Sequence, residues 1–133
     1  MVSYKSRCVV LDTNMLLSVF EHPFDLEDEL CRVVGKCSVV VPRVVMDELV
    51  TLSDRGKGSA KRWAKAALKY VKQKGFRVEE GFEGETDDVV FVLAKKLGCL
   101  VATNDKELIR RLREEHVPVL FLRENKKLVL SHR

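Results

Sequence analysis

Asp12, Glu48, Asp87 and Asp105 are the residues best placed to do chemistry, because each stands at the end of an apolar run or on the first turns of a neighbouring helix. Asp12 directly follows RCVVL, and Asp105 closely follows CLVA. If those two runs are neighbouring strands, they lie roughly 4.8 Å apart and the carboxylates converge. Carboxylates that close repel one another and call for a cation. A set of oxygen donors with no His or Cys cluster suits Mg²⁺ or Mn²⁺ rather than zinc. Two of the four acids also have a plainer explanation. Asp87 and Asp88 open a predicted helix, where acids interact favourably with the helix dipole by about 0.3–1 kcal/mol. Asn104 followed by Glu107 resembles a capping box around Asp105. Asp47 competes with its neighbour Glu48. The shared position of all four at one edge is what favours a site.

The elements that must hold them read as an α/β alternation. Strands are predicted over 7–11, 38–41, 76–78, 99–102 and 118–122, and the tail 123–130 is expected to turn back as a hairpin strand. Helices are predicted over 13–20, beginning at a Thr13 cap, and over 26–34, ended by Gly35. A third begins at Pro42 and runs through Val45, Leu49 and Leu52. After a loop at 54–58 come helices over 59–74, 86–97 and 104–115. Strands that are almost wholly apolar, without polar alternation, indicate a parallel sheet covered on both faces. In such a sheet ligands sit beyond the carboxyl ends of the strands, where strand order reverses.

The sequence resembles the PIN domain family over essentially its whole length. The resemblance is carried by Val10-Leu11-Asp12-Thr13-Asn14-Met15-Leu16-Leu17, by Val41-Pro42 through Asp47-Glu48-Leu49, and by Thr86-Asp87-Asp88 with Ala94 on the same helix. Val101-Ala102-Thr103-Asn104-Asp105-Lys106-Glu107-Leu108 and Val117-Pro118-Val119 complete it. It implies a three-layer α/β/α sandwich around a five-stranded parallel sheet of order 3-2-1-4-5. It also implies a metal-dependent endoribonuclease whose acids Asp12, Glu48, Asp87 and Asp105 bind Mg²⁺ or Mn²⁺, with Thr103 and Asn14 as supporting polar residues. Counting seven residues back from Ala94 selects Asp87, with Asp88 as the alternative. The metal would activate water for attack on an RNA phosphodiester, and Glu48 or Asp87 would orient that water. Small PIN domains commonly pair, so a homodimer is implied. Two roles fit, a toxin held by an antitoxin and a nuclease for ribosomal or other RNA maturation working with assembly proteins.

Composition agrees with a polyanionic partner. The chain of 133 residues carries a net charge of +4, and setting the four acids aside leaves 24 Lys and Arg against 16 of the 20 Asp and Glu. Lys61, Lys65, Lys69 and Lys72 are spaced to share one face of their helix, and Lys106 and Arg110 make a second basic group. Both are candidate phosphate contacts. Trp63 reads as a core or dimer contact. One domain over 1–133 is expected, cytoplasmic and without a membrane span or signal segment. Cys8, Cys31, Cys37 and Cys99 lack paired spacing and read as free thiols, and His22, His116 and His132 as surface residues. Two other phosphate-handling classes fit less well. A receiver domain wants a Lys after the fifth strand, where Arg123 stands. A haloacid-dehalogenase-like phosphatase wants an Asp at the position of Asn14. A PIN-like RNA-binding or assembly module without catalysis remains the rival from another class.

Overall fold

The computed structural model describes residues 7–131. Along the chain it runs β1 (Cys8–Leu11), α1 (Thr13–Glu21), α2 (Leu26–Val34), β2 (Ser38–Pro42), α3 (Arg43–Arg55), α4 (Gly58–Lys74), β3 (Arg77–Glu79), α5 (Thr86–Leu97), β4 (Leu100–Ala102), α6 (Lys106–Glu114), β5 (Val119–Arg123) and β6 (Lys127–Ser131). The sheet has the order β3-β2-β1-β4-β5-β6. Its first five strands are parallel, and β6 returns antiparallel to β5. The predicted five-strand order is therefore present, with the expected hairpin strand added at its edge.

Val9, Val10, Leu11, Val40, Val41 and Val101 are fully buried, as continuous apolar strands covered on both faces must be. Helices α1, α3 and α4 pack on one another, while α5 lies against β1, β2 and β4, and α6 against β5. Right-handed crossovers place these groups on opposite faces, because β1 to β3 are laid down in one direction and β4 to β5 in the other. Gly75 and Gly98 end α4 and α5 with left-handed φ of 66° and 71°, a conformation that costs glycine little. The free edge of β6 is closed by α2. The Leu128 N–H donates to Glu29 at 2.9 Å, and Arg32, paired with Glu29, donates to the Leu128 carbonyl at 2.8 Å. These contacts occupy backbone groups that would otherwise recruit a further strand.

Several expectations need correction. Cys8 and Cys99 are not free thiols but form a disulfide with a Cα–Cα distance of 4.8 Å. Val9 pairs with Leu100 across the β1–β4 ladder, so the residues before them stand side by side. Cys31 and Cys37 are free. Helix α1 is capped by Asp12, not Thr13, and α6 by Asp105, not Asn104, whose side chain instead accepts from the Leu122 N–H at 2.8 Å. Pro42 ends β2 with extended backbone rather than entering the helix. Only Gly56 and Lys57 separate α3 from α4, in place of the longer loop expected. Trp63 is half-buried and outside the buried face of α4, which is made of Ala64, Ala67 and Val71, so of its two expected roles the core contact is not the one seen. Among the described residues, no helix is long and apolar enough to cross a membrane.

Candidate active site

Pairing of Leu11 with Ala102 sets the next residue of each strand, Asp12 and Thr103, beside each other at the carboxyl edge of the sheet. Asp12 turns its two oxygens to different tasks. Oδ1 accepts from the Met15 N–H at 2.8 Å and so starts α1, while Oδ2 accepts from the Thr103 hydroxyl. Thr103, fully buried, also accepts from the Asp105 N–H at 3.0 Å, and Asp105 caps α6 by accepting from the Leu108 N–H at 2.9 Å. A hydrogen-bonded path thus joins the ends of β1 and β4. Asp12 is only 3% exposed. Burial pushes its carboxyl up to about 6. The Thr103 and Met15 hydrogen bonds oppose that rise, and the charges of Asp87 and Asp105 add to it.

Glu48 reaches the same edge from α3. Its Oε1 accepts from the Thr13 hydroxyl and its Oε2 from the Thr86 hydroxyl at 2.7 Å. Asp87, half-buried in the first turn of α5, is also raised, chiefly by partial burial and then by Asp105, with Arg111 opposing. Its neighbour Asp88 is exposed and pairs with Arg111 at 2.8 Å. The two adjacent acids therefore differ in surroundings. One lines a cavity of about 540 Å³ together with Asp12, Glu48, Asp47 and Asn14, and the other is spent on a surface ion pair. Asp105 does not line that cavity; its charge acts on Asp12 and Asp87 from the β4 side.

The donor chemistry fits a hard divalent cation. Carboxylates and hydroxyls face one cavity, His22 and His116 lie elsewhere, and two of the acids are raised, first by burial and further by neighbouring carboxylates. The carboxylates are not drawn to a point, however. Among the described residues no three His, Cys, Asp or Glu side chains are gathered closely enough to hold a metal as they stand. Sequence reasoning missed what Thr13 and Thr86 do, reading one as a helix cap and the other as part of a motif. Their position at helix starts was visible, but not the direction of their hydroxyls.

The basic candidates are split. Lys65, Lys69 and Lys72 are exposed on α4 and Lys61 is half-buried. Lys106 and Arg110 line a groove on α6 with Arg113, but Arg110 is already paired with Glu107 and, at 2.7 Å, with Glu114. His132 lies outside the described residues.

The pattern of a family described as "PIN like domain" matches residues 9–125. Ribonuclease VapC9 of Archaeoglobus fulgidus is 36% identical over 127 residues, covering 96% of this chain and 91% of that protein. Ribonuclease VapC4 of Methanocaldococcus jannaschii is 30% identical over 120 residues, covering 89% and 92%. Among solved structures, the PIN domain endonuclease Utp24 superposes with a TM-score of 0.79 at 25% identity, covering 95% of this chain and 92% of that one. A domain of a functionally unknown Methanocaldococcus jannaschii protein shares the fold, with a TM-score of 0.61 at 16% identity and coverage of 87% and 91%.

Proposed function

This chain belongs to the PIN-like domain family, and on that premise we propose that it is a divalent-metal-dependent endoribonuclease whose ligands are Asp12, Glu48, Asp87 and Asp105. The observation that carries the reading is the cavity at the carboxyl edge of the sheet, into which the end of β1 and the helices α3 and α5 bring acids with no basic residue among its lining. The ribonuclease names of the two VapC relatives support RNA as the substrate.

Mg²⁺ or Mn²⁺ held by these acids would supply Lewis acidity, lowering the pKa of water so that hydroxide is available near neutral pH and offsetting charge that builds on the phosphate. The protein's own groups do the rest. Thr103 and the start of α1 fix the Asp12 carboxylate, and two threonines fix that of Glu48. Asp87 makes no hydrogen bond with the described residues and is the acid able to turn toward an attacking water and take its proton. Asp88 is the weaker choice because Arg111 already engages it. Exposed lysines of α4 hold the RNA backbone without reading bases.

One observation favours a second reading, that of an RNA-binding or assembly module without catalysis: the acids are not gathered at metal-ligand spacing. Incubation of the purified protein with labelled single-stranded and structured RNAs, in Mg²⁺, Mn²⁺ or EDTA, separates the two. Cleavage that EDTA abolishes supports the nuclease, and binding without cleavage in every metal supports the module. Copurification tests whether the chain works with a small inhibitor protein, an assembly factor or a second copy of itself.

A further inference from the structure

Glu48 is the acid of this cavity whose two carboxylate oxygens both receive side-chain hydroxyls, and the donors come from different helices. Thr13 is the first residue of α1 and Thr86 the first residue of α5, while Glu48 stands on α3. Three helix segments around the cavity therefore meet on one carboxylate. The Thr86 hydroxyl is not spent on its own helix. Its neighbour Glu85 occupies the cap position of α5 without a side-chain cap, and the hydroxyl crosses to Glu48 at 2.7 Å. That matters because α5 is preceded by the glycine-containing segment 80–85, which is exposed except at the partly buried Phe82 and gives limited support to the placement of Asp87. Other ties to this region are the partly buried Phe82, which packs against the core with Lys96 over its ring, and the surface ion pairs Arg43–Glu80 and Arg111–Asp88, which contribute little when exposed.

We propose that Thr86 is a positioning residue for the cation site, fixing Glu48 directly through its hydroxyl and Asp87 through the chain next to it. The inference rests on the metal-dependent reading above and adds a residue to it. A carboxylate already aimed by two donors need not be ordered when the cation arrives, and each oxygen keeps a further lone pair for the metal. Partners of this kind, lying behind the ligands, commonly change metal affinity by 10- to 100-fold when removed.

The test is Mn²⁺ affinity measured by calorimetry without RNA, so that no readout depends on turnover. Thr86→Val puts a methyl in place of the hydroxyl, Thr86→Ser keeps the hydroxyl, and Thr86→Ala serves should the valine variant fail to fold. The valine or alanine variant is expected to bind Mn²⁺ about 10-fold more weakly or worse, with Thr86→Ser staying close to wild type. A double-mutant cycle with Glu48→Gln adds a readout that a merely structural role would not move. If Thr86 acts through Glu48, its removal costs little more once Glu48→Gln is present. Wild-type affinity in Thr86→Val, an equal loss in Thr86→Ser, or full additivity with Glu48→Gln would each overturn the proposal while leaving the metal site standing. Failure of the wild-type protein to bind Mn²⁺ at all would overturn both.

Discussion

Burial holds the Asp12 carboxyl near pH 6 in the folded chain, above the 3.8 of an exposed aspartate. The folded state therefore binds this proton more tightly than the unfolded state does. Its contribution to stability is present in full below about pH 4, is lost as pH rises to about 6, and stays lost above that. The metal-free protein at neutral pH thus keeps a buried charge that costs up to about 3 kcal/mol. Asp12→Asn keeps the ability to cap α1 and should be more stable than wild type at pH 7.5 in EDTA, with the gain vanishing near pH 4. Urea unfolding at the two pH values checks this, and equal stabilities at pH 7.5 would contradict it. The pair at the start of α5 makes a second contrast. Asp87→Asn should slow RNA cleavage by about 100-fold or more. Asp88→Asn, which breaks only an exposed pair with Arg111, should leave the rate and change stability by under about 1 kcal/mol. Positions such as Asp12 and Asp105 were legible in the sequence because each follows an apolar run. The Thr86 and Thr13 hydroxyls were not, because spacing fixes which residue starts a helix and not where its side chain points.

Among the elements, β1 and β4 carry the site at one end and a disulfide at the other. Cys8 and Cys99 close a separation of 91 residues, and a loop of that order restricts the unfolded chain by about 5 kcal/mol. Denaturant unfolding with and without reductant, or of Cys8→Ser, should show a loss of that order; an unchanged midpoint would mean that the staple contributes nothing. The strands were readable because RCVVL, SVVV and PVLFL are continuous apolar runs, and α5 was readable over 86–97 from its acidic start and Gly98. The cysteine pairing was not, since it depends on register between strands about ninety residues apart. The caps of α1 and α6 were misplaced by one residue, because Asp12-Thr13 and Asn104-Asp105 each offer two adjacent residues able to cap.

Taken whole, the molecule sets an acidic cavity in a chain of net positive charge. That arrangement suits a polyanion held by surface lysines and cut over an acid-bound metal. Replacing Lys65, Lys69 and Lys72 by Gln should weaken single-stranded RNA binding and flatten its salt dependence by about 0.7 in log–log slope per lost phosphate contact. Fluorescence anisotropy across a salt series reads this out. Arg110→Gln should change it little, because Glu107 and Glu114 already engage that guanidinium. The strand order that gathers the acids was implied by the PIN resemblance, while apolar runs alone gave strands without neighbours. The most direct test of the metal-dependent nuclease is the cleavage rate of a labelled single-stranded RNA against Mn²⁺ concentration, for wild type and Asp12→Asn. The account predicts a rate that saturates with Mn²⁺ in wild type, disappears in EDTA and stays at background in the folded variant. Cleavage that persists in EDTA, or at the wild-type rate in Asp12→Asn, would contradict it.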